Sequence, residues 1–227
     1  MGCFLLKRGI MKLFQRILNL IYPPKCPFCG RILEKGEEGL CSRCQRTLPW
    51  TTGHNDPVDF CDASMSPLRY RDGVRNAVHR YKFNYGRMHG KLLGALMAQC
   101  LSDRWSDPVD AIVWVPLSRK HRRKRGYDQA ELLARRVSEL TGIPVLDGLE
   151  KIRDTATQSR IERPSERRAN VLGAYRVKAR AELSGKRVVL VDDVVTSGAT
   201  LSECASCLRM AGAAQVVALT FACAGKK

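Results

Sequence analysis

The fold class is decided by the stretch RVVLVDDVVTSGAT at residues 187–200. Its apolar run, Val188 to Val191, is typical of a parallel strand that is buried on both faces. Two carboxylates, Asp192 and Asp193, follow this run, and a short loop of small residues then leads into a helical pattern that begins at Leu201. This order predicts a sugar-phosphate site, because loop N–H groups and a helix N-terminus attract phosphate and carboxylates accept hydrogen bonds from ribose hydroxyls.

An ordinary β–α turn with two solvent-facing aspartates is the alternative interpretation of this stretch. Adjacent acids alone would favour it. Here, however, Thr196, Ser197, Gly198 and Thr200 follow the acids, which supplies hydroxyl donors and a glycine that lets the backbone approach a ligand closely. The order of residues also resembles the motif with which type I phosphoribosyltransferases bind phosphoribosyl pyrophosphate (PRPP). We therefore favour the phosphate site.

The rest of the chain alternates strand and helix patterns, which predicts an α/β fold with a mostly parallel sheet flanked by helices. The segments between them include a polar stretch at 51–67, interpreted as a linker, and a charged segment at 151–170, interpreted as a long mobile loop. Strands are predicted at 68–70, 111–115, 143–146, 188–191 and 215–221, and helices at 73–81, 91–101, 129–140 and 201–210.

Two C-x2-C pairs near the N-terminus predict a metal site. The pairs are Cys26 with Cys29 and Cys41 with Cys44. Four sulfurs at this spacing suit a tetrahedral Zn2+ ion, and a site closed by four cysteines is structural rather than catalytic. Two disulfides, a redox C-x-x-C pair and an iron–sulfur cluster are the alternatives, and zinc is favoured because the pairs are matched. Cys204 and Cys207 form another C-x2-C pair, but it lies on a predicted helix, so we expect those thiols to pack in the core.

The remaining sequence signals concern the compartment. The chain has ten cysteines, but its first residues carry neither a signal-peptide pattern nor a myristoylation pattern, and no transmembrane segment is found. We therefore expect a cytoplasmic protein with reduced thiols. Apolar residues from Ile10 to Ile21 recur at helical spacing among basic residues and predict an amphipathic helix that Pro23 and Pro24 end. We expect it to pack on the protein's own core, with a membrane surface as the alternative.

A basic run follows the strand predicted at 111–115. Six of the seven residues from Arg119 to Arg125 are Lys or Arg, and the formal net charge of the whole chain is +17. The run lies just after the carboxyl end of a strand, where α/β folds bind ligands. We interpreted it as a loop that could neutralise a pyrophosphate, contact a nucleic-acid backbone, or form a solvated surface.

Several motifs in order resemble the ComF family of bacterial proteins, which couple a zinc-finger-like module to a phosphoribosyltransferase-like domain and are linked to DNA uptake in natural competence. The resemblance covers nearly the whole chain after the first helix. It rests on the four-cysteine module, the segment 69–85 with its Tyr-Lys-Phe core, the motif VPLSRKHRRKRGYDQA, Gln158 followed by RANV at 168–171, and the final DDVVTSGAT.

The resemblance implies roles for individual residues. Asp192 and Asp193 would hold the ribose hydroxyls beside a bound Mg2+, and the loop Thr196, Ser197, Gly198, Ala199 and Thr200 would wrap the 5′-phosphate. Residues 115–119 would form the pyrophosphate loop and 151–168 a flexible lid. The ligand-binding residues expected at the pyrophosphate side are Leu117, Ser118, Arg119, Arg122 and Arg125.

The sequence thus predicts an amphipathic helix at 10–24, a zinc-binding module with its linker at 25–63, and a phosphoribosyltransferase-like domain at 64–227. Two functional hypotheses stay open. The first is a phosphoribosyltransferase-type protein that binds PRPP with Mg2+ and uses an unknown acceptor. The second is a non-catalytic protein that binds single-stranded DNA, and contacts DNA-uptake proteins, through its basic residues.

Overall fold

The apolar run that begins at Val188 forms the central strand of a parallel sheet. The structure is a computed structural model that describes residues 23–83, 86–155 and 163–225, so the helix predicted at 10–24 lies outside it except for Pro23 and Pro24. The strands are β1 Ala63–Met65, β2 Leu68–Arg69, β3 Ala111–Trp114, β4 Leu149–Lys151, β5 Tyr175–Val177, β6 Arg187–Val195 and β7 Gln215–Cys223. The helices are α1 Ser42–Thr47, α2 Asp72–Phe83, α3 Gly86–Arg104, α4 Arg119–Arg125, α5 Gln129–Thr141, α6 Pro164–Val171 and α7 Ala199–Met210.

The main sheet has the strand order β1–β7–β6–β3, and β2 pairs with β7 just beyond β1. All of these pairings are parallel. The α/β class with a mostly parallel sheet is therefore confirmed. Since parallel strands present their carboxyl ends at one edge, the segments that follow β3 and β6 come together there.

The central strand β6 is longer than its apolar run. It pairs with β7 as far as Val195, opposite Cys223, so Asp192 and Asp193 belong to the last part of the strand rather than to the loop after it. The strand continues because its backbone groups find partners on β7 even where the side chains are acidic. Both carboxylates are therefore held on a rigid element.

The basic run is a helix, not the loop that we predicted. Helix α4 spans Arg119–Arg125; the Ser118 side chain caps its start by accepting from the His121 N–H. It ends at Gly126, which adopts the left-handed conformation with φ 76° that glycine tolerates best. The two caps offset the repulsion between neighbouring basic side chains within the run.

The described residues of the charged segment at 151–170 include parts of a strand and a helix, where we predicted a long mobile loop. Its first residue ends β4, which pairs antiparallel with β5, and its last residues lie in α6. Pro164 occupies the first turn of α6. Proline is favoured there because the N–H that it lacks would have no partner inside the helix.

The chain divides into two compact units, residues 1–48 and residues 49–227. This division lies before residue 64, where we placed the start of the second domain. Residues of the predicted linker pack within the second unit, since Val58 belongs to its core and Thr51 is hydrogen-bonded to Ser66 and Arg104. Among the described residues, no helix is long and apolar enough to cross a membrane.

Helices α3 and α5 approach closely at Gly94. A Cβ atom on Gly94 would lie only 2.6 Å from the Cβ of Arg136. We expect Gly94→Ala to lower the free energy of unfolding by about 1–2 kcal/mol, because the overpacking cost exceeds the gain in helix propensity. Urea denaturation measures this change. The matched variant Gln99→Ala, at an exposed position of the same helix, should stay within about 0.5 kcal/mol of wild type; an equally stable Gly94→Ala would contradict the close approach.

Candidate functional site

A cavity of about 380 Å³ lies at the carboxyl ends of β3 and β6. This is the edge at which open α/β sheets bind their ligands. Its walls come from the segments after both strands and from α2, α4, α5, α6 and the β4–β5 pair. The lining residues are 115–118, 128–130 and 192–201, together with Tyr70, Lys82, His121, Arg125, Lys151, Thr155, Arg167 and Tyr175.

One wall is the loop that joins β6 to α7. Gly198 is the N-cap of α7 and has a φ of 76°, a conformation that strains any residue with a Cβ. A Cβ there would also lie 3.4 Å from the side chain of Val58. No side chain caps this helix among the described residues, so the first N–H groups of α7 stay available as donors at the cavity. Thr196 closes the wall and accepts a hydrogen bond from Arg167 Nη1 at 3.0 Å.

The two aspartates occupy the floor of the cavity, where Lys82 accompanies them. Lys82 Nζ lies 2.9 Å from Asp193 Oδ2, and both side chains are largely buried. Asp192 Oδ1 accepts from the Asp193 N–H at 2.7 Å. Burial and the neighbouring charge of Asp193 raise the pKa of Asp192 to about 8. Burial disfavours the ammonium of Lys82, but the attraction of Asp193 and Asp192 outweighs it and raises the pKa of Lys82.

A third carboxylate, Asp128, holds the segment after β3 in place. Its Oδ2 accepts from the Leu117 N–H at 2.8 Å, while Oδ1 accepts from the Ala130 and Glu131 N–H groups at the start of α5. Burial raises the pKa of Asp128. This one side chain therefore caps α5 and fixes the 115–118 loop against it.

The opposite side of the cavity is basic. Ser118 Oγ and His121 Nδ1 are 2.9 Å apart. Burial and then the charge of Arg125 lower the pKa of His121. Lys151 Nζ lies 5.0 Å from the ring centre of Tyr175 and 2.8 Å from Thr155 Oγ1, and burial lowers its pKa as well. An anion placed here would favour the charged form of both side chains.

Most of the predicted ligand-binding residues lie together in the cavity. Those are Asp192, Asp193, Thr196, Ser197, Gly198, Ala199, Thr200, Leu117, Ser118 and Arg125. Arg119 and Arg122 do not line it. Both are exposed on the outer face of α4, and Arg122 lies 3.3 Å from Glu131. Because α4 is a helix rather than a loop, only the residues on one of its faces reach the cavity.

Sequence reasoning gave no ligand-binding role to Lys82, Asp128 or Gln129, and it placed Lys151 and Arg167 only within the predicted lid at 151–168. A signal existed for two of them, since the motif at 115–130 ends in Gly-Tyr-Asp-Gln-Ala and an aspartate before a helical pattern is a typical N-cap. Lys82, Lys151 and Arg167 belong to elements distant in the chain from β6, and only the fold brings them to the cavity.

The four predicted zinc ligands form a cluster of their own within the first unit. The sulfurs of Cys26, Cys29, Cys41 and Cys44 all lie within 4.8 Å of one another. Cys29 Sγ and Cys41 Sγ are 3.7 Å apart. Sulfurs bound to one tetrahedral zinc at about 2.3 Å would be about 3.8 Å apart, whereas bonded sulfurs lie about 2.05 Å apart, so this pair fits zinc and not a disulfide.

A hydrogen-bond network around Glu37 fixes the two halves of the cluster. Glu37 accepts from the Glu34 N–H and the Ser42 N–H and pairs with the Arg31 guanidinium at 2.6 Å. The hydrogen bonds from Glu34 and Ser42 lower the pKa of Glu37 to about 2. The Cys41 sulfur in turn accepts from the Cys44 N–H at the start of α1. Backbone N–H groups thus fix the Glu37 carboxylate and the Cys41 sulfur.

Two domain families match this chain. The double zinc ribbon domain matches residues 17–71, and the phosphoribosyl transferase domain matches residues 123–227. The first match includes the four-cysteine cluster, and the second includes the aspartates and the loop to Thr200. Zinc is therefore supported both by sulfur geometry and by the matched domain.

Proteins of related sequence cover most of this chain. Competence protein F from Haemophilus influenzae is 27% identical over 85% of this chain and 93% of its own length. DNA utilization protein YhgH from Salmonella typhi is 33% identical over 84% of this chain and 80% of its own length. A solved structure of glutamine PRPP amidotransferase from B. subtilis is 27% identical to this chain. The match covers 61% of this chain and 29% of that protein's chain, with a TM-score of 0.42.

The four-cysteine geometry predicts that the purified protein contains about one zinc ion per chain. We expect Cys29→Ser to lower zinc content substantially and to unfold the first unit, because metal binding and folding are coupled in such small modules. Elemental analysis by mass spectrometry measures the zinc. Cys61→Ser, outside the cluster, is the control and should retain wild-type zinc; retention of full zinc by Cys29→Ser would contradict the ligand set.

Proposed function

Because the chain belongs to the ComF family of competence and DNA-utilization proteins, we propose that its cavity binds PRPP together with Mg2+. The observation that carries this proposal is the meeting of three features in one cavity. These are the acid pair at the end of β6, the Gly198 loop at the start of α7, and a wall of cations opposite. They correspond to the ribose, the 5′-phosphate and the pyrophosphate of PRPP.

The 5′-phosphate belongs at the Gly198 loop. The hydroxyls of Thr196, Ser197 and Thr200 and the N–H groups at the start of α7 are donors for its oxygens, and the helix dipole favours its charge. Gly198 permits the left-handed backbone conformation, with φ 76°, at which the loop turns into α7. The loop binds the phosphate without any requirement for a basic side chain.

The ribose hydroxyls belong at Asp192 and Asp193. Lys82 neutralises Asp193, and its ammonium, which has three donors, stays beside the carboxylate when a hydroxyl binds. The raised pKa of Asp192 allows its carboxyl to donate as well as accept near neutral pH. The acid pair thus orients the sugar rather than attacking it.

The residues present fit a magnesium ion that arrives with its ligand. Mg2+ is commonly bound by one or two carboxylates plus phosphate oxygens and water. One oxygen of Asp193 is already engaged by Lys82 and one of Asp192 by a backbone N–H, which leaves few protein oxygens for an ion. When bound, the ion would neutralise part of the pyrophosphate charge.

The pyrophosphate side is formed by the 115–118 loop, His121, Arg125 and Lys151. In a phosphoribosyl transfer the bond from C1′ to the pyrophosphate oxygen breaks, and negative charge accumulates on the leaving group. Fixed cations in a water-poor site stabilise that charge. This arrangement supports a phosphoribosyltransferase-type reaction with an acceptor still to be identified.

We place a lid over this site at residues 151–168. Its two described ends contact the cavity through Lys151, Thr155 and Arg167. Arg168 pairs with Asp59 at 3.1 Å, which ties the far end to the segment before β1. Closure of such a lid would exclude water from the sugar.

Single-stranded DNA is the second candidate ligand, and it fits the cytoplasmic role in DNA uptake that we propose from the family. The observation that favours it is the outer face of α4, where Arg119, Arg122 and Arg123 are exposed. Phe83, the last residue of α2, is 57% exposed, and the cavity-lining Arg125 of α4 lies 5.2 Å from its ring centre. Cations beside an exposed aromatic ring are typical of surfaces on which bases stack and phosphates are neutralised.

The phosphate loop predicts the effect of a charge placed within it. We expect isothermal titration to detect PRPP binding to wild type in the presence of Mg2+, and Ser197→Asp to weaken it at least about tenfold, because a carboxylate would repel the 5′-phosphate. Ser197 is exposed, so the variant should fold. Asp193→Asn would change the stability of the protein as well as ligand binding, since it would leave Lys82 buried without its ion-pair partner.

The matched control for this measurement is Ser184→Asp, which adds the same charge at an exposed serine outside the cavity. We expect it to bind PRPP as wild type does. Wild-type protein that neither binds PRPP nor gains thermal stability from it would refute the proposal, since a ligand of the folded state must stabilise it.

The outer face of α4 predicts a separate effect on DNA. We expect Arg123→Ala with Lys124→Ala to weaken binding of a fluorescent single-stranded oligonucleotide. The salt dependence of binding should also fall, because a complex with fewer phosphate contacts releases fewer counterions when it forms. PRPP binding should be unchanged. Arg176→Ala with Arg180→Ala removes two exposed charges elsewhere and is the control. Equal losses in both double variants would indicate attraction by net charge alone.

A further inference from the structure

The side chain of Gln129 carries a buried hydrogen-bond donor that the fold does not use. Gln129 is the first residue of α5, is 1% exposed and lines the cavity. Its Nε2 atom has no hydrogen-bond partner among the described residues. A buried amide N–H without an acceptor is costly, so native proteins rarely keep one without a reason.

The contact with Arg125 determines which group of the Gln129 side-chain amide has no hydrogen-bond partner. Arg125 Nη1 lies 2.6 Å from Gln129 Oε1. A guanidinium can only donate, so the oxygen of the amide must face Arg125 and the NH2 group must point away from it. The unpaired group is therefore a donor, and donation by Arg125 to the same amide strengthens it.

The main chain of Gln129 is fixed as firmly as its side chain. Tyr81 Oη donates to the Gln129 carbonyl at 2.7 Å, and the Tyr127 hydroxyl donates to the Tyr81 carbonyl. Tyr81 immediately precedes Lys82, so the same contacts hold Gln129 beside the cation that neutralises Asp193. The donor is preorganised on two helices and does not depend on a loop.

The strand order indicates which part of the ligand this donor meets. Helix α7 connects β6 to β7, whereas α5 follows β3, and β3 and β7 lie on opposite sides of β6. The Gly198 loop and Gln129 therefore flank the acid pair from opposite sides. With the 5′-phosphate at the Gly198 loop and the ribose at the acids, Gln129 lies at the end of the cavity that His121, Arg125 and the 115–118 loop surround.

We propose that Gln129 Nε2 donates to an oxygen of the pyrophosphate group and so selects ligands that carry a pyrophosphate over those that end at the ribose. This inference rests on the proposed function, because it takes the position of the sugar phosphate from it. An anionic acceptor fits the positive charge of Arg125 beside this amide, while the Asp128 carboxylate is engaged by the N–H groups of Leu117, Ala130 and Glu131. The ligand thus supplies the acceptor that Gln129 Nε2 lacks among the described residues.

The test compares three ligands on three forms of the full-length protein. Isothermal titration in the presence of Mg2+ measures binding of PRPP, inorganic pyrophosphate and ribose 5-phosphate to wild type, Gln129→Met and Gln129→Glu. We expect both variants to lose affinity for PRPP and pyrophosphate by about 10- to 100-fold, as for a hydrogen bond to a charged group. Glu should lose more than Met, because it replaces the donor with a negative charge. Affinity for ribose 5-phosphate should be unchanged.

A purely structural role for Gln129 would give a different pattern. Gln129→Glu keeps an oxygen that accepts from Arg125 and loses only the unpaired NH2 group, so it should unfold at the same urea concentration as wild type, as should the control Gln99→Met on the exposed face of α3. Equal losses for ribose 5-phosphate and PRPP, or a clearly less stable Gln129→Glu, would overturn the inference. Unchanged binding of all ligands by both variants would overturn it while leaving the proposed function intact. Wild-type protein that binds none of the ligands would overturn both.

Discussion

The ion pair between Lys82 and Asp193 is the interaction on which the cavity depends. Two neighbouring carboxylates at the end of a buried strand repel each other and lose hydration, and Lys82 neutralises one of them at 2.9 Å. The other, Asp192, responds through a raised pKa. A buried pair of this kind adds little to stability, since desolvation offsets the attraction. The acids are therefore better explained by what they bind than by what they stabilise.

The same pair shows why part of the site could be predicted from the sequence and part could not. Asp192, Asp193 and the loop to Thr200 are contiguous, so a strand pattern followed by acids and small residues predicted their chemistry and the α/β fold around them. Lys82 reaches Asp193 only because the fold brings the last turn of α2 to the carboxyl end of β6. The Tyr-Lys-Phe core that supports the family resemblance contains this lysine, but no local pattern shows that it contacts acids more than 100 residues later in the chain.

Two errors of the sequence interpretation have a common cause. The basic run became a helix because Ser118 and Gly126 cap it, and the charged segment contains α6 because Pro164 starts it. In both places the sequence contains residues that begin or end a helix, whereas charge density and a proline favour a loop. Capping residues act on the backbone, whereas charge acts through solvent, where repulsion between neighbours is weak.

Helix α4 also explains how one basic run presents two kinds of surface. Ser118, His121 and Arg125 recur at the spacing of one helical face and line the cavity, whereas Arg119 and Arg122 lie outside it. The inner face is partly buried and held by specific hydrogen bonds, so it suits a small anion of fixed geometry. The outer face is solvated and suits a long polyanion whose affinity depends on charge and salt. The exposed side chains of Arg119 and Arg123 do not line the cavity, so substitutions there can leave the cavity side chains intact.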